Sequence, residues 1–108
     1  MFNEFQPIKT LAEVRAFASY LYFDLSTTFH PDNDFAEYVT QDGNPAFTPI
    51  RASRLNERMS ECREVCKAFG VDVYDFMDVA GIYFEAIASG QDIEQARNTA
   101  YFASDGSE

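Results

Sequence analysis

Helix start and stop signals divide this chain at short intervals, and they constrain its fold more than any other feature. Thr10 followed by Glu13 forms a capping box: the hydroxyl accepts from the third helical N–H and the glutamate reaches back. Thr48-Pro49 pairs a capping hydroxyl with a proline at the first helical position, where a missing N–H costs nothing. Gly70 is a left-handed terminator. Asp72 caps the third helix, with Val71 and Phe76 disposed as a hydrophobic staple. Gly90 ends that helix, and Asp92 with Gln95 makes a second capping box. The boundaries predict helices over about 11–28, 49–69, 73–89 and 93–103. The expected fold class is all-α: a single-domain, irregular four-helix bundle spanning 1–108. Residues 1–9 read as an arm anchored by Phe2 and Phe5, and 104–108 as a frayed tail.

The apolar spacing agrees with these boundaries. Leu11, Val14, Phe17, Ala18, Leu21 and Leu25 recur at helical intervals, and residues 16–23 carry no charge. A helix apolar on most sides is central or meets a partner. Ala52, Leu55, Met59, Cys62, Cys66 and Phe69 form a narrow seam, the mark of an outer amphipathic helix. On the third helix, Val73, Phe76, Met77, Val79, Ala80, Tyr83, Phe84, Ala86, Ile87 and Ala88 cover a broad apolar arc. The first and third helices are therefore the expected central pair. Between the first two helices, residues 29–48 form a long connection with turn signals at His30-Pro31, Asp42-Gly43 and Asn44-Pro45. Within it, Phe35, Tyr38 and Val39 are spaced as a short helical turn.

Charge bears on partners rather than on fold. The net charge is −10. No Lys or Arg lies between Lys67 and Arg97, a stretch holding Asp72, Asp75, Asp78, Glu85, Asp92 and Glu94. Five of the eight basic residues, Arg51, Arg54, Arg58, Arg63 and Lys67, share the second helix, where Arg54 with Glu57, Arg58 with Glu61 and Glu64 with Lys67 read as i, i+3 pairs that leave the helix mildly positive. Direct nucleic-acid binding is disfavoured, since phosphate affinity rests on Lys and Arg. Anionic membranes are disfavoured for the same reason. No uncharged apolar stretch reaches the ~18 residues of a membrane span. The opening Met-Phe-Asn-Glu-Phe-Gln-Pro lacks a signal peptide's basic start and apolar run, so a cytoplasmic location is expected.

No catalytic motif is present: there is no G-x-S-x-G, P-loop or H-E-x-x-H, and no enzyme is expected. Cys62 and Cys66 fall on the buried seam, which predicts two reduced, inert thiols. With His30 they make only three candidate ligands, short of the four of structural zinc, so no metal site is expected. Asp32-Asn33-Asp34 looks like the start of a calcium loop, but the required sixth-position Gly and twelfth-position Glu are Glu37 and Gly43. No cofactor is implied. The candidate binding site is the outward arc of the third helix: Asp75, Asp78 and Glu85 as an acidic strip, with Tyr74 and Ile82 as apolar anchors.

The run Phe29-His30-Pro31-Asp32, then Phe35-Ala36-Glu37-Tyr38-Val39, Phe47-Thr48, Leu55-Asn56, Met59, Glu64-Val65-Cys66 and Gly70-Val71-Asp72-Val73-Tyr74, resembles a group of small uncharacterised proteins. These occur in Bacteroidetes genomes, phages and mobile elements. The resemblance covers about residues 29–76 and implies a mobile-element context but no activity. The expected function is a non-catalytic interaction protein acting on a basic protein partner, one form being a nucleic-acid mimic. The alternatives are a structural or homo-oligomeric helical subunit with the aromatic first helix as interface, and a small enzyme or ligand-binding domain using the 29–48 loop.

Overall fold

The structure, a computed structural model, describes residues 2–39 and 48–102. The turns expected at Asp42-Gly43 and Asn44-Pro45 and the tail at 104–108 lie outside the described residues. The elements are α1 (Leu11–Phe23), α2 (Ala36–Val39), α3 (Pro49–Phe69), a 3-10 turn (Val73–Met77), α4 (Val79–Ala88) and α5 (Ile93–Phe102). Among the described residues there is no strand, and the class is all-α. α2 is the short turn expected inside the long connection.

The caps act as their residue types dictate. Thr10 and Glu13 close the first capping box. Thr48 accepts from the Arg51 N–H ahead of Pro49, and Gly70 ends α3 in the left-handed region at φ 70°. Asp92 and Gln95 exchange hydrogen bonds of 2.8 and 3.2 Å at the head of α5.

α1 is the centre. Val14, Phe17, Ala18 and Leu21 have no exposed surface, and α1 meets α3, the 3-10 turn, α4 and α5. The buried Ser19 hydroxyl donates to the Ala100 carbonyl at 3.0 Å, tying α1 to α5. The aromatic first helix is thus largely interior to the domain. Its main neighbour also differs from expectation: α5, whose Ala96 and Ala100 are fully buried small residues, packs more extensively on α1 than α4 does. The α3 seam is buried at Ala52, Leu55, Met59, Cys62 and Cys66, but Phe69 at its end is 58% exposed. Of the two arm anchors, Phe2 packs against Phe17 and Tyr20, whereas Phe5 is exposed and lies under the Arg54 guanidinium at 4.1 Å.

Two expected helices are shortened. α1 stops at Phe23, not near residue 28. The Leu25 N–H returns to the Tyr20 carbonyl at 3.3 Å and the Thr27 N–H to the Leu21 carbonyl at 2.9 Å, with Ser26 at φ 53°. The helix expected over 73–89 is broken at Asp78, whose backbone (φ −89°, ψ 48°) leaves the helical region. Asp78 caps α4, accepting from the Gly81 N–H at 3.1 Å. The buried Arg15 supports the break: it donates to the Phe76 carbonyl at 3.4 Å, with its guanidinium 4.8 Å above the Phe76 ring.

Candidate functional site

The break at Asp78 dissolves the predicted strip. Asp78 serves as a cap and lends its charge to Arg15, whose guanidinium is pushed down by burial and held up only by that carboxylate. Ile82 is half-buried and packs on the core, so it is no exposed anchor. Glu85 stays exposed on α4, and Phe84, expected in the core arc, is 59% exposed beside it. Tyr74 and Asp75 sit on the 3-10 turn, ahead of the break.

They lie at a corner where the 3-10 turn meets the loop before α2. Phe29, Pro31 and Phe35 are buried and anchor the loop. Polar groups of α3 then fasten its backbone. Asn56 accepts from the Phe35 N–H at 2.9 Å and donates to the Asp34 carboxylate at 2.9 Å. Arg63 donates to the Pro31 carbonyl at 2.6 Å. The 3-10 turn adds the Tyr74 hydroxyl, which donates to Asp32 at 2.7 Å, and the His30 ring lies edge-on to Tyr74 at 6.0 Å. His30 is a turn residue: its Nδ1 accepts from the Asp32 N–H at 3.2 Å.

The corner is acidic. Asp32, Asp34, Asp72 and Asp75 are exposed around Tyr74, itself 44% exposed. The hydrogen bond to Asp32 pushes the Tyr74 phenol up, and Asp72 adds to it. Hydrogen bonds from Asn56 and the Ala36 N–H hold Asp34 below the usual carboxylate range. Burial raises the Cys66 thiol, with Asp72 and Asp75 adding to it, and burial raises Cys62 further. Both thiols are protonated at neutral pH and shielded, so neither is a nucleophile. An open groove of about 400 Å³ runs along the corner, lined by Pro31, Asp32, Asn33, Asp34, Asn56, Met59 and Arg63. Among the described residues, no three His, Cys, Asp or Glu side chains converge as metal ligands. No described helix is long and apolar enough to cross a membrane.

Several arginines, by contrast, are turned inward, whereas Lys9, Arg63 and Lys67 stay exposed, Arg63 on the corner groove itself. Arg15 and Arg58 are buried. Arg58 pairs with Glu57 at 2.6 Å and Glu61 at 3.0 Å. Arg51 and Arg54 both reach the buried Glu4, at 2.5 and 2.9 Å, and the Tyr20 hydroxyl joins them. Arg54 therefore abandons the i, i+3 pairing with Glu57 that spacing predicts.

Sequence reasoning placed Tyr74 and Asp75 in the site and missed Asp32, Asn56 and Arg63. Asp32 stood out only as part of a failed calcium loop. The polar Asn56 directly beside the core residue Leu55 was the available sign of a buried loop contact. The class defined by fold and corner is a small all-α domain with an acidic surface built from a clamped loop and a 3-10 turn. No protein-family profile matches this chain, and neither does any curated protein or solved structure.

Proposed function

We propose that this chain is a non-catalytic interaction protein that engages a basic protein partner, with the Tyr74 corner as the contact. One observation carries the reading: Arg15, Arg58, Arg51 and Arg54 are buried or committed to Glu4, Glu57 and Glu61, while Asp32, Asp72 and Asp75 face outward around Tyr74. The exposed charge of the corner is thus mostly negative, with Arg63 as an exposed cation beside it. The field steers a basic surface inward, and the Tyr74 ring supplies desolvated contact once it arrives. A partner that itself binds nucleic acid fits this chemistry, with the acidic corner in place of phosphates.

The test is affinity capture from the native host with the wild-type chain, with Asp32→Asn/Asp72→Asn/Asp75→Asn, and with Tyr74→Ala as baits. Binding should weaken as the Debye length falls from about 10 Å at 0.1 M salt to about 3 Å at 1 M. The triple variant should lose association rate and Tyr74→Ala should gain dissociation rate. Wild-type capture by both variants removes the corner as the site. Competition by duplex DNA or RNA for the captured partner tests the mimic form.

A further inference from the structure

We infer that the groove at the C-terminal end of α1 is a binding site for an uncharged small molecule carrying a ring and hydroxyl groups. The groove has a volume of about 410 Å³ and is lined by Tyr22, Phe23, Ser26, Thr27 and Thr28. That size falls within the ~300–1,000 Å³ of small-molecule sites. It shares no residue with the Tyr74 corner, so the inference stands apart from the proposed function.

The lining combines two aromatic rings with three consecutive hydroxyls. Phe23 is held from three helices. Its ring meets Tyr22 and Tyr83 edge-on at 5.0 Å each and stacks with Tyr101 at 6.0 Å. The Arg97 guanidinium covers it at 5.1 Å. This leaves the half-buried Tyr22 as the ring available to a ligand, braced by the packed Phe23 ring. A ring fixed before binding loses little entropy when a ligand stacks on it.

The hydroxyls come from the turn that ends α1. Ser and Thr in turns ordinarily bond to the nearby backbone. Here the Ser26, Thr27 and Thr28 hydroxyls make no hydrogen bond among the described residues. Each retains one donor and two acceptor positions. Ser26 also sits at φ 53°, where a side chain costs energy and glycine would not. The Thr27 N–H to Leu21 carbonyl bond of 2.9 Å closes the turn and enforces that conformation. A non-glycine residue held in this region is a recurrent feature of ligand sites.

Charge selects a neutral ligand. No Asp, Glu, Lys, Arg or His is among the five lining residues, in a chain where 24% of residues are charged. Asp24, next to the groove, is matched by Arg97 at 3.5 Å and by the Tyr101 hydroxyl at 2.7 Å. An anion would meet a protein of net charge −10, and a cation would find no lining carboxylate. A neutral nucleoside and a neutral sugar both present the required ring and hydroxyls.

The experiment is NMR titration of the ¹⁵N-labelled full chain with adenosine, with methyl glucoside, and with adenosine monophosphate. Saturable shifts centred on Tyr22–Thr28 are expected with adenosine or the glucoside, and which one responds identifies the source. If adenosine binds, its monophosphate should bind at least about tenfold more weakly. The double variant Ser26→Gly/Thr28→Val removes two hydroxyls and relieves the turn. It should weaken binding of the responding probe about tenfold while melting no lower than wild type. The inference is overturned if neither probe saturates, if the shifts centre elsewhere, if the monophosphate binds as tightly as adenosine, or if the folded double variant keeps wild-type affinity.

Discussion

Glu4→Gln tests how the arm is held and why so many arginines are absent from the surface. The Glu4 side chain is 8% exposed, and Arg51 and Arg54 are 26% and 24% exposed. Arg51 donates to it through Nε at 3.1 Å and Nη2 at 2.5 Å, and Arg54 through Nη1 at 2.9 Å. Breaking a fully buried pair costs ~3–5 kcal/mol, and breaking a surface pair costs ~0–1. A buried carboxylate whose partners are a quarter exposed falls between, because both guanidiniums recover water when the charge is removed. The expected loss is about 2 kcal/mol at pH 7, roughly 10 °C in melting temperature for a domain of this size. The pH dependence has a definite sign. Burial alone would raise the Glu4 carboxyl, but the hydrogen bonds from Arg51, Tyr20 and Arg54 outweigh it and hold it below its ordinary value of 4.5. A depressed carboxyl stabilises the fold above its unfolded pKa, and that contribution is lost as pH falls through the folded value. Urea unfolding of wild type and Glu4→Gln should therefore differ by a constant amount above about pH 5, and the curves should converge below pH 4.5. A difference under about 0.5 kcal/mol at pH 7, the range of ordinary surface sites, would refute the clasp. So would a difference that grows on acidification.

Leu21→Ala and Phe76→Ala remove side chains that are 0% and 3% exposed, and each should cost roughly 2–5 kcal/mol in denaturant unfolding. Gly81→Ala would drive a Cβ into the Asp78 carboxylate, so the cap must swing away. The lost cap costs about 0.5–2 kcal/mol and the helical Gly-to-Ala change returns up to about 1, so a net loss under about 1 kcal/mol is expected, and in the Asp78→Ala background the same change should be stabilising. Cys62 and Cys66, both buried and with raised thiol pKa values, should label only at the rate of unfolding; fast native-state labelling of both would contradict their burial.

The legible part of the fold was local. Thr10 with Glu13, Thr48 with Pro49, Gly70 and Asp92 with Gln95 are decided within one helical turn, and each element begins or ends where its cap chemistry places it. The α3 seam was legible for the same reason, since periodicity alone selects its buried face. What was missed required contacts between distant residues. α1 stops at Phe23 although Leu25 continues its apolar spacing, because the Thr27 N–H closes a turn on Leu21. Residues 73–89 carry an unbroken helical pattern, yet Asp78 can cap as well as propagate. The choice is made by Arg15, which lies on another helix and claims the Phe76 carbonyl.

The same non-local decisions reshaped the candidate site. A continuous helix would have aligned Tyr74, Asp75, Asp78, Ile82 and Glu85 along one acidic face. With the break, Tyr74 bonds Asp32, Ile82 packs against the core and Glu85 is exposed on α4. The acidity that the sequence displays as a gap in Lys and Arg is still at the surface, but its organising residue is the loop's Asp32, held by Tyr74 and by the backbone contacts of Asn56 and Arg63. Spacing along one helix could not reveal this, because the groups that meet come from three separate segments. The arginines tell the complementary part. On spacing alone they decorate α3, whereas folding draws Arg51 and Arg54 onto the arm's Glu4 and buries Arg58. Net charge is unchanged by these pairings, but its distribution is not. Part of the positive charge is paired within the domain, while Asp32, Asp34, Asp72 and Asp75 stay exposed at the corner with Arg63 beside them.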